Sequence, residues 1–212
     1  MRRPWRACAL ALTALALGAC RTAPPTIGDP PPKLADADAE RAYRELLDRY
    51  SDTAEVYALF DTHLFSGATY LSWPMREARV KRLGQFKAMT QPEIDARLEQ
   101  ERAEWATHHV FDFGAWTQDP KYDDFDRKDS IWRLALIADG VEVLPAEVER
   151  VRRVDHNTRA LYPYMGQFWV LYRVKFPKVR PDGTPVLPPG TREVRLRVTS
   201  TLGQAELRAQ AE

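Results

Sequence analysis

Residues 191–199 read TREVRLRVT, the clearest alternation of apolar and polar side chains in this 212-residue chain. In an extended strand Val194, Leu196 and Val198 fall on one face, and the arginines between them fall on the other. This alternation is typical of an antiparallel sheet that has one buried face and one face in contact with water. The stretch therefore predicts a β-rich fold towards the C-terminal end of the chain.

Other segments of the chain also have strand character. The pair Asp139-Gly140, between two apolar runs, is typical of a tight β-hairpin turn. About seven short strands with turn residues between them resemble an immunoglobulin-like sandwich in architecture, although the cysteine and core tryptophan framework of true immunoglobulin domains is absent. The strand segments are residues 55–70, as two strands or one bent strand, and residues 110–116, 131–138, 141–144, 168–176 and 205–207.

Helical periodicity occurs in two regions. Apolar residues recur at spacings of three and four over residues 35–50, which predicts an N-terminal helix. Ser72 can cap a second helix, and Thr90-Gln91-Pro92-Glu93 has the pattern of a capping box that opens a third. We therefore predict an α+β fold, in which an antiparallel sandwich carries an N-terminal helix and a two-helix insertion near residues 73–108. This single domain spans residues 34–212.

The first residues have the layout of a secretory signal. Arg2, Arg3 and Arg6 form a basic start, and residues 7–17 are apolar apart from Thr13. A helix over this apolar run rises about 16 Å, which is much less than the roughly 30 Å of a hydrocarbon core. The run is therefore too short to be a transmembrane anchor.

The residues Leu17-Gly18-Ala19-Cys20 that close this run resemble the lipobox of bacterial lipoproteins. The resemblance implies removal of residues 1–19 and attachment of lipid to Cys20, which would anchor the chain in a membrane. Arg21 in place of Asp after the cysteine is similar to the default sorting of Gram-negative lipoproteins to the outer membrane. It leaves open whether the domain faces the periplasm or the cell surface. A plain signal peptide that leaves a free thiol at Cys20 is the alternative.

The segment after the cysteine predicts a spacer. Residues 21–33 read RTAPPTIGDPPPK, and five prolines in this stretch disfavour both a helix and a central strand. At about 3.1 Å per residue in a polyproline conformation, thirteen residues reach roughly 40 Å. We therefore interpret residues 20–33 as a lipidated cysteine followed by a tether.

Cysteine content and charge restrict the function classes. Cys8 leaves with the signal and Cys20 is the lipidation site, so the mature domain has no disulfide. Loss of three arginines from 31 basic and 30 acidic residues leaves a net charge near −2. This balance gives no electrostatic support for a nucleic-acid partner.

Motifs that carry catalytic or metal chemistry are missing from the sequence. It contains no Gly-x-Ser-x-Gly, His-Glu-x-x-His or Cys-x-x-Cys pattern and no glycine-rich phosphate loop. His108 and His109 point to opposite faces if they lie on a strand, so a structural role is favoured over a shared metal. The acidic segment 119–129 lacks EF-hand spacing and reads as a solvated loop. We predict no catalytic residue, metal site or cofactor.

The segment LYPYMGQFW at residues 161–169 is the leading candidate for binding. Tyr162, Tyr164 and Trp169 have the composition of a peptide or sugar site when exposed, and the same residues fill a core when buried. A basic cluster of four arginines precedes them and could meet lipid phosphate, although acidic neighbours make a salt-bridged strand face the favoured interpretation. These arginines are Arg150, Arg152, Arg153 and Arg159.

Together these features predict a noncatalytic outer-membrane lipoprotein that binds another envelope protein. The alternative is a lipoprotein that binds a small ligand or glycan in a pocket lined by the same aromatic residues. A third hypothesis is a hydrolase that uses two carboxylates, but the sequence does not single out a pair.

Overall fold

The computed structural model describes residues 36–58 and 61–211 of the chain. Within these residues, two antiparallel sheets and four α-helices form one α+β sandwich, which confirms the predicted fold class. The signal, Cys20 and the tether lie outside the described residues. The likeness to an immunoglobulin-like sandwich is one of architecture, since two antiparallel sheets enclose a common core.

The larger sheet has the strand order β1-β2-β3-β7-β6, with every neighbouring pair antiparallel. Residues 55–70, for which the sequence allowed either one bent strand or two, belong to two strands, β1 and β2. The pairing of β1 with β2 shifts register between Val56 and Tyr57. The strands are β1 (Ser51–Ala58), β2 (Asp61–Tyr70), β3 (His108–Thr117), β6 (Glu147–Arg150) and β7 (Val170–Pro177).

The smaller sheet has the order β5-β4-β8-β9. Its hairpin turn lies at Asp139 and Gly140, whose φ values of 48° and 79° are those that a tight hairpin turn requires. Val194, Leu196 and Val198 of β8 are fully buried, as their alternation predicts. The strands are β4 (Arg133–Ala138), β5 (Val141–Val143), β8 (Glu193–Ser200) and β9 (Gly203–Gln210).

Aromatic side chains fill the space between the two sheets. Phe113 of β3 and Tyr172 of β7 both contact the ring of Phe125, which lies in the loop between the sheets. The Phe125 ring in turn stacks on Trp132 at a centroid distance of 5.3 Å. Burial of such rings contributes both hydrophobic and specific ring–ring stabilisation. The acidic segment predicted as a solvated loop therefore has one aromatic anchor in the core.

Four helices accompany the sheets, and the second and third have the caps that the sequence predicts. Asp36 caps the first helix, Ser72 caps the second, and Glu93 accepts hydrogen bonds from the backbone and hydroxyl of Thr90 at the third. Strand β6 and the last helix were not predicted, because four and six residues are too few to show periodicity. The helices are α1 (Ala37–Tyr50), α2 (Trp73–Phe86), α3 (Gln91–Thr107) and α4 (His156–Leu161).

The helices form a layer on the outer face of the larger sheet. Because Phe113 points into the sandwich, Asp112 and Gly114 on the same strand point outwards. Asp112 bonds to Arg79 of α2, and Trp169 would lie within 3.2 Å of a Cβ built on Gly114. The Tyr43 hydroxyl of α1 donates to the carbonyl of Leu161, which joins α1 to α4. This layer positions the candidate site.

Candidate functional site

Three arginines on α2 are buried between this helix and the elements that pack against it. Arg76, Arg79 and Arg82 follow one another at intervals of three, so they lie on adjacent positions of one helix face. They are 0%, 9% and 3% exposed. Since a buried guanidinium is unfavourable without a partner, each of them requires a carboxylate from another element.

Glu101 on α3 holds two of these arginines. Arg76 Nη1 donates to Glu101 Oε2 at 2.6 Å, and Arg79 Nη2 donates to Glu101 Oε1 at 2.6 Å. Arg76 also donates to Glu104 Oε2 at 2.8 Å and to the Leu71 carbonyl at 3.0 Å. The two helices of the insertion are therefore joined through ion pairs that are closed to water.

Asp112 connects the helical layer to the sheet. Its carboxylate accepts hydrogen bonds from Arg79 Nη1 at 2.9 Å, from Arg173 Nε at 3.1 Å and from the Tyr162 hydroxyl. Burial alone would raise the pKa of Asp112, but the charges of Arg173 and Arg79 and the Tyr162 hydrogen bond lower it to about 2. Asp112 is therefore ionised at neutral pH.

Arg82 extends the same arrangement to α1. Its Nη1 donates to Glu40 Oε2 at 2.5 Å, and its guanidinium carbon lies 4.3 Å from the centre of the Tyr43 ring. We call the side chains that make these contacts the arginine–carboxylate network, and it links α1, α2, α3, β3 and β7. Its members are Glu40, Arg76, Arg79, Arg82, Glu101, Glu104, Asp112 and Arg173.

A cavity of about 430 Å³ opens beside this network, within the size range of small-ligand sites. Side chains from α2, α3, β3, β6, α4 and β7 meet around it. Six of the lining residues are cationic and two are anionic, and four are aliphatic. The charged ones are Arg79, Lys87, Arg97, Arg150, Arg152, Arg173, Asp112 and Glu149, and the aliphatic ones are Leu83, Val151, Leu161 and Leu171.

The three aromatic candidates of the sequence lie in one segment but have different surroundings. Tyr162 is 1% exposed and lines the cavity. The Tyr164 ring lies over Gly67, with its hydroxyl 2.9 Å from that of Thr69. Trp169 is half-buried against Gly114. Only Tyr162 therefore reaches the cavity, and the other two are part of the outer face of the larger sheet.

Four arginines predicted as a salt-bridged strand face are divided by the fold. Arg150 and Arg152 line the cavity, and Arg159 donates to the Gly166 carbonyl at 3.1 Å. Arg153 is exposed. The sequence analysis missed the site residues of α2, α3 and β7. For those of α2, the interval of three between arginines in a predicted helix was the available signal.

The histidine pair separates as the strand geometry predicts. His109 is buried, with its Nδ1 2.9 Å from the Tyr70 hydroxyl, and His108 Nδ1 lies 2.8 Å from the Thr107 hydroxyl. Burial, with a smaller contribution from the charge of Lys178, lowers the pKa of His109 to about 3. Among residues 36–58 and 61–211, no group of three or more metal-binding side chains is arranged around a common point.

Aromatic side chains, half-buried or exposed, also lie at the outer face of the larger sheet and in the turn that precedes β7. The ring of Phe65 lies 6.2 Å from that of Tyr57 and 5.4 Å from that of Trp116. Ala115 pairs with Val170, so Trp169 follows beside Trp116 along the two strands. Tyr57 is 54% exposed and Phe168 is 70% exposed. We call Tyr57, Phe65, Trp116, Phe168 and Trp169 the aromatic patch.

The fold and site thus define an α+β sandwich with a buried arginine–carboxylate network, a cationic cavity and an aromatic patch. Comparison with protein families, with curated proteins and with solved structures finds no match to this chain. In the described part of the chain, no helix combines the length and the apolar character needed to cross a membrane.

Proposed function

We propose that this protein is a noncatalytic, lipid-anchored module of the cell envelope that binds a partner protein through the aromatic patch. The observation that carries the proposal is the exposure of large aromatic side chains on the larger sheet and in the turn that precedes β7. Phe168 at 70% and Tyr57 at 54% are more exposed than any other large hydrophobic residues, apart from Val179 at 55%, in residues 36–58 and 61–211. Exposed apolar surface of this kind is typical of protein interaction sites.

The way in which the sheet holds the aromatic side chains of the patch supports this function. Phe65 and Trp116 are directly opposite each other on β2 and β3, so the strands hold their rings in place. Rigid aromatic side chains lose little conformational entropy on binding, and they are enriched among the residues that contribute most to interface affinity. Trp169 is held against Gly114 at the same face.

The proposal of a noncatalytic role is supported by the state of the buried carboxylates. Asp112 and Glu101 each accept hydrogen bonds from two arginines, at distances from 2.6 to 3.1 Å. Asp112 is a poor general acid, because its pKa of about 2 lies far below neutral pH. Glu149, the other carboxylate at the cavity, is exposed to solvent.

Site-directed photo-cross-linking in intact cells tests the interaction. A photoreactive amino acid at position 168 or 57 is expected to capture one protein reproducibly, and the product is identified by mass spectrometry. The matched control places the same amino acid at Lys81, an exposed position on α2 whose side chain is 60% exposed. Capture of the same protein from position 81, or of no protein from positions 57 and 168, would contradict the proposed interface.

The anchor is tested separately, on the proposal that Cys20 carries lipid. Cys20→Ala is expected to move the protein from the membrane pellet to the soluble fraction, because several acyl chains are needed for stable anchoring and this variant has none. The distribution is measured by immunoblotting after cell fractionation. A Cys20→Ala protein that has lost its signal and still sediments with the membranes would show that the lipid interpretation is wrong.

A further inference from the structure

The cavity beside the arginine–carboxylate network has an excess of positive charge. Its lining contains six cationic and two anionic side chains, which leaves a formal charge of +4. Cations gathered around one concave space repel each other, and the low-dielectric protein walls focus their field into it. An anion in the cavity would relieve this repulsion. The charge imbalance therefore favours an anionic occupant.

The inner end of the cavity has cations in a fixed geometry. Arg79 and Arg173 are both oriented by Asp112, at 2.9 Å and 3.1 Å. Both guanidinium groups share this one carboxylate, although Arg79 also pairs with Glu101 at 2.6 Å and Arg173 lies 3.9 Å from Glu104. The Nε of Arg79 is buried and has no hydrogen-bond partner within the described residues. Arg79 therefore keeps unused hydrogen-bonding capacity beside the cavity.

The outer part of the cavity has cations that form no close ion pair. Lys87 and Arg152 are exposed and line the cavity, and neither has a carboxylate within 4.0 Å among residues 36–58 and 61–211. Arg150 donates to the backbone carbonyl of Asp123 at 3.1 Å and forms no ion pair within 4.0 Å among the described residues. Arg97 lies 3.6 Å from Glu101, which already holds two other arginines.

We propose that this cavity binds a phosphate monoester. A phosphoryl group presents three oxygens in different directions, and arginine is the side chain best suited to contact such oxygens in pairs. Here five arginines and a lysine approach from several directions, on or just after α2, α3, β6 and β7. A planar carboxylate has only two oxygens and would need fewer of these cations. Leu83, Val151, Leu161 and Leu171 provide apolar wall for the organic part of the ligand. This site is separate from the aromatic patch.

Calorimetric titration of the mature lipidated protein in nonionic detergent tests the proposal, with glycerol 3-phosphate as the probe. Saturable binding at one site is expected, and glycerol at the same concentration is expected to give none. The double variant Lys87→Gln/Arg152→Gln removes two exposed cations of the cavity and should weaken binding about tenfold or more. Glu149→Gln removes an anion from the lining and should strengthen binding about twofold or more.

A matched double variant controls for net charge. Arg127→Gln/Lys128→Gln also removes two exposed cations, but from a loop that does not line the cavity, and affinity should change by less than about twofold. Absence of saturable binding would overturn the proposal, as would equal weakening by the two double variants. Tighter binding of succinate than of glycerol 3-phosphate would also overturn it, because a dicarboxylate would then be the better ligand.

The phosphate ester can come from a soluble metabolite or from a lipid headgroup. A competition experiment against bound glycerol 3-phosphate distinguishes these two sources. Detergent micelles containing a phosphatidic acid should displace glycerol 3-phosphate if the cavity takes a lipid headgroup. Micelles with phosphatidylcholine in its place provide the control. Displacement by phosphatidic acid alone assigns the site to a lipid phosphate monoester, and binding of glycerol 3-phosphate without such displacement assigns it to a soluble one.

Discussion

Replacement of Glu101 by Gln is expected to lower the free energy of unfolding by about 3 kcal/mol, the lower end of the cost of breaking a buried ion pair, because Arg76 keeps Glu104 and Arg79 keeps Asp112 as partners. Glu101 is 3% exposed and accepts 2.6 Å hydrogen bonds from both Arg76 and Arg79. Arg76 is completely buried, so water cannot replace the lost carboxylate. The neutral amide of Gln has a similar shape, and therefore the variant isolates the charge. Urea denaturation followed by circular dichroism measures the effect.

The matched control is Glu99→Gln on the same helix. Glu99 forms an ion pair with Arg102 at 3.1 Å, but its side chain is 71% exposed. An exposed pair of this kind contributes about 0.5 kcal/mol, because both charges are hydrated with or without it. Similar losses for the two variants would mean that the arginine–carboxylate network is not closed to water. If Glu101→Gln does not fold, Arg79→Lys, which keeps the charge but not the paired geometry, provides a milder measurement of the same contacts.

Acidification below about pH 6.5 is expected to destabilise the protein through His109. The folded state holds the pKa of this buried imidazole at about 3, whereas its ordinary value is 6.5. The unfolded chain therefore binds the proton first, and the stability due to neutral His109 is fully present above pH 6.5. It falls by about 1.4 kcal/mol for each pH unit between these two pKa values. About 2 kcal/mol should be lost between pH 6.5 and pH 5.

Chemical denaturation at a series of pH values measures this slope. His109→Gln should remove most of it, because Gln does not titrate, whatever the variant does to stability at neutral pH. His108→Gln, at the neighbouring position, is the control and should leave the slope in place. Asp112 and Glu104, whose pKa values are lowered, lose protons at lower pH and do not produce the slope above pH 5. An unchanged slope in His109→Gln would assign the pH dependence to another group.

Much of the fold follows from short-range patterns. The alternation at Val194, Leu196 and Val198 predicts a strand with one buried face, and the structure contains it. The caps at Ser72 and Thr90 and the turn at Asp139-Gly140 are also confirmed. Each of these features depends on residues that are neighbours along the chain, and so the signal is complete within a few positions.

The candidate sites were predicted only in part. Tyr162 lines the cavity, but it does so next to arginines that the sequence analysis did not single out. Arg76 and Glu101 are 25 residues apart, and Arg173 and Asp112 are 61 apart. Pairing over such separations leaves no local pattern. A charged side chain in a helix is most often solvated, so the sequence predicts that Arg76 is exposed, whereas the structure buries it.

The sequence by itself determined the strands and helices other than β6 and α4, the turn chemistry and the prediction of a lipidated N-terminus at Cys20. Only the tertiary structure decided which charges are buried, which arginines line the cavity and which aromatic rings remain exposed. The physical reason is that periodicity reports one face of one element, whereas burial depends on what another element places against that face. For Arg79, this means Glu101 from α3 and Asp112 from β3.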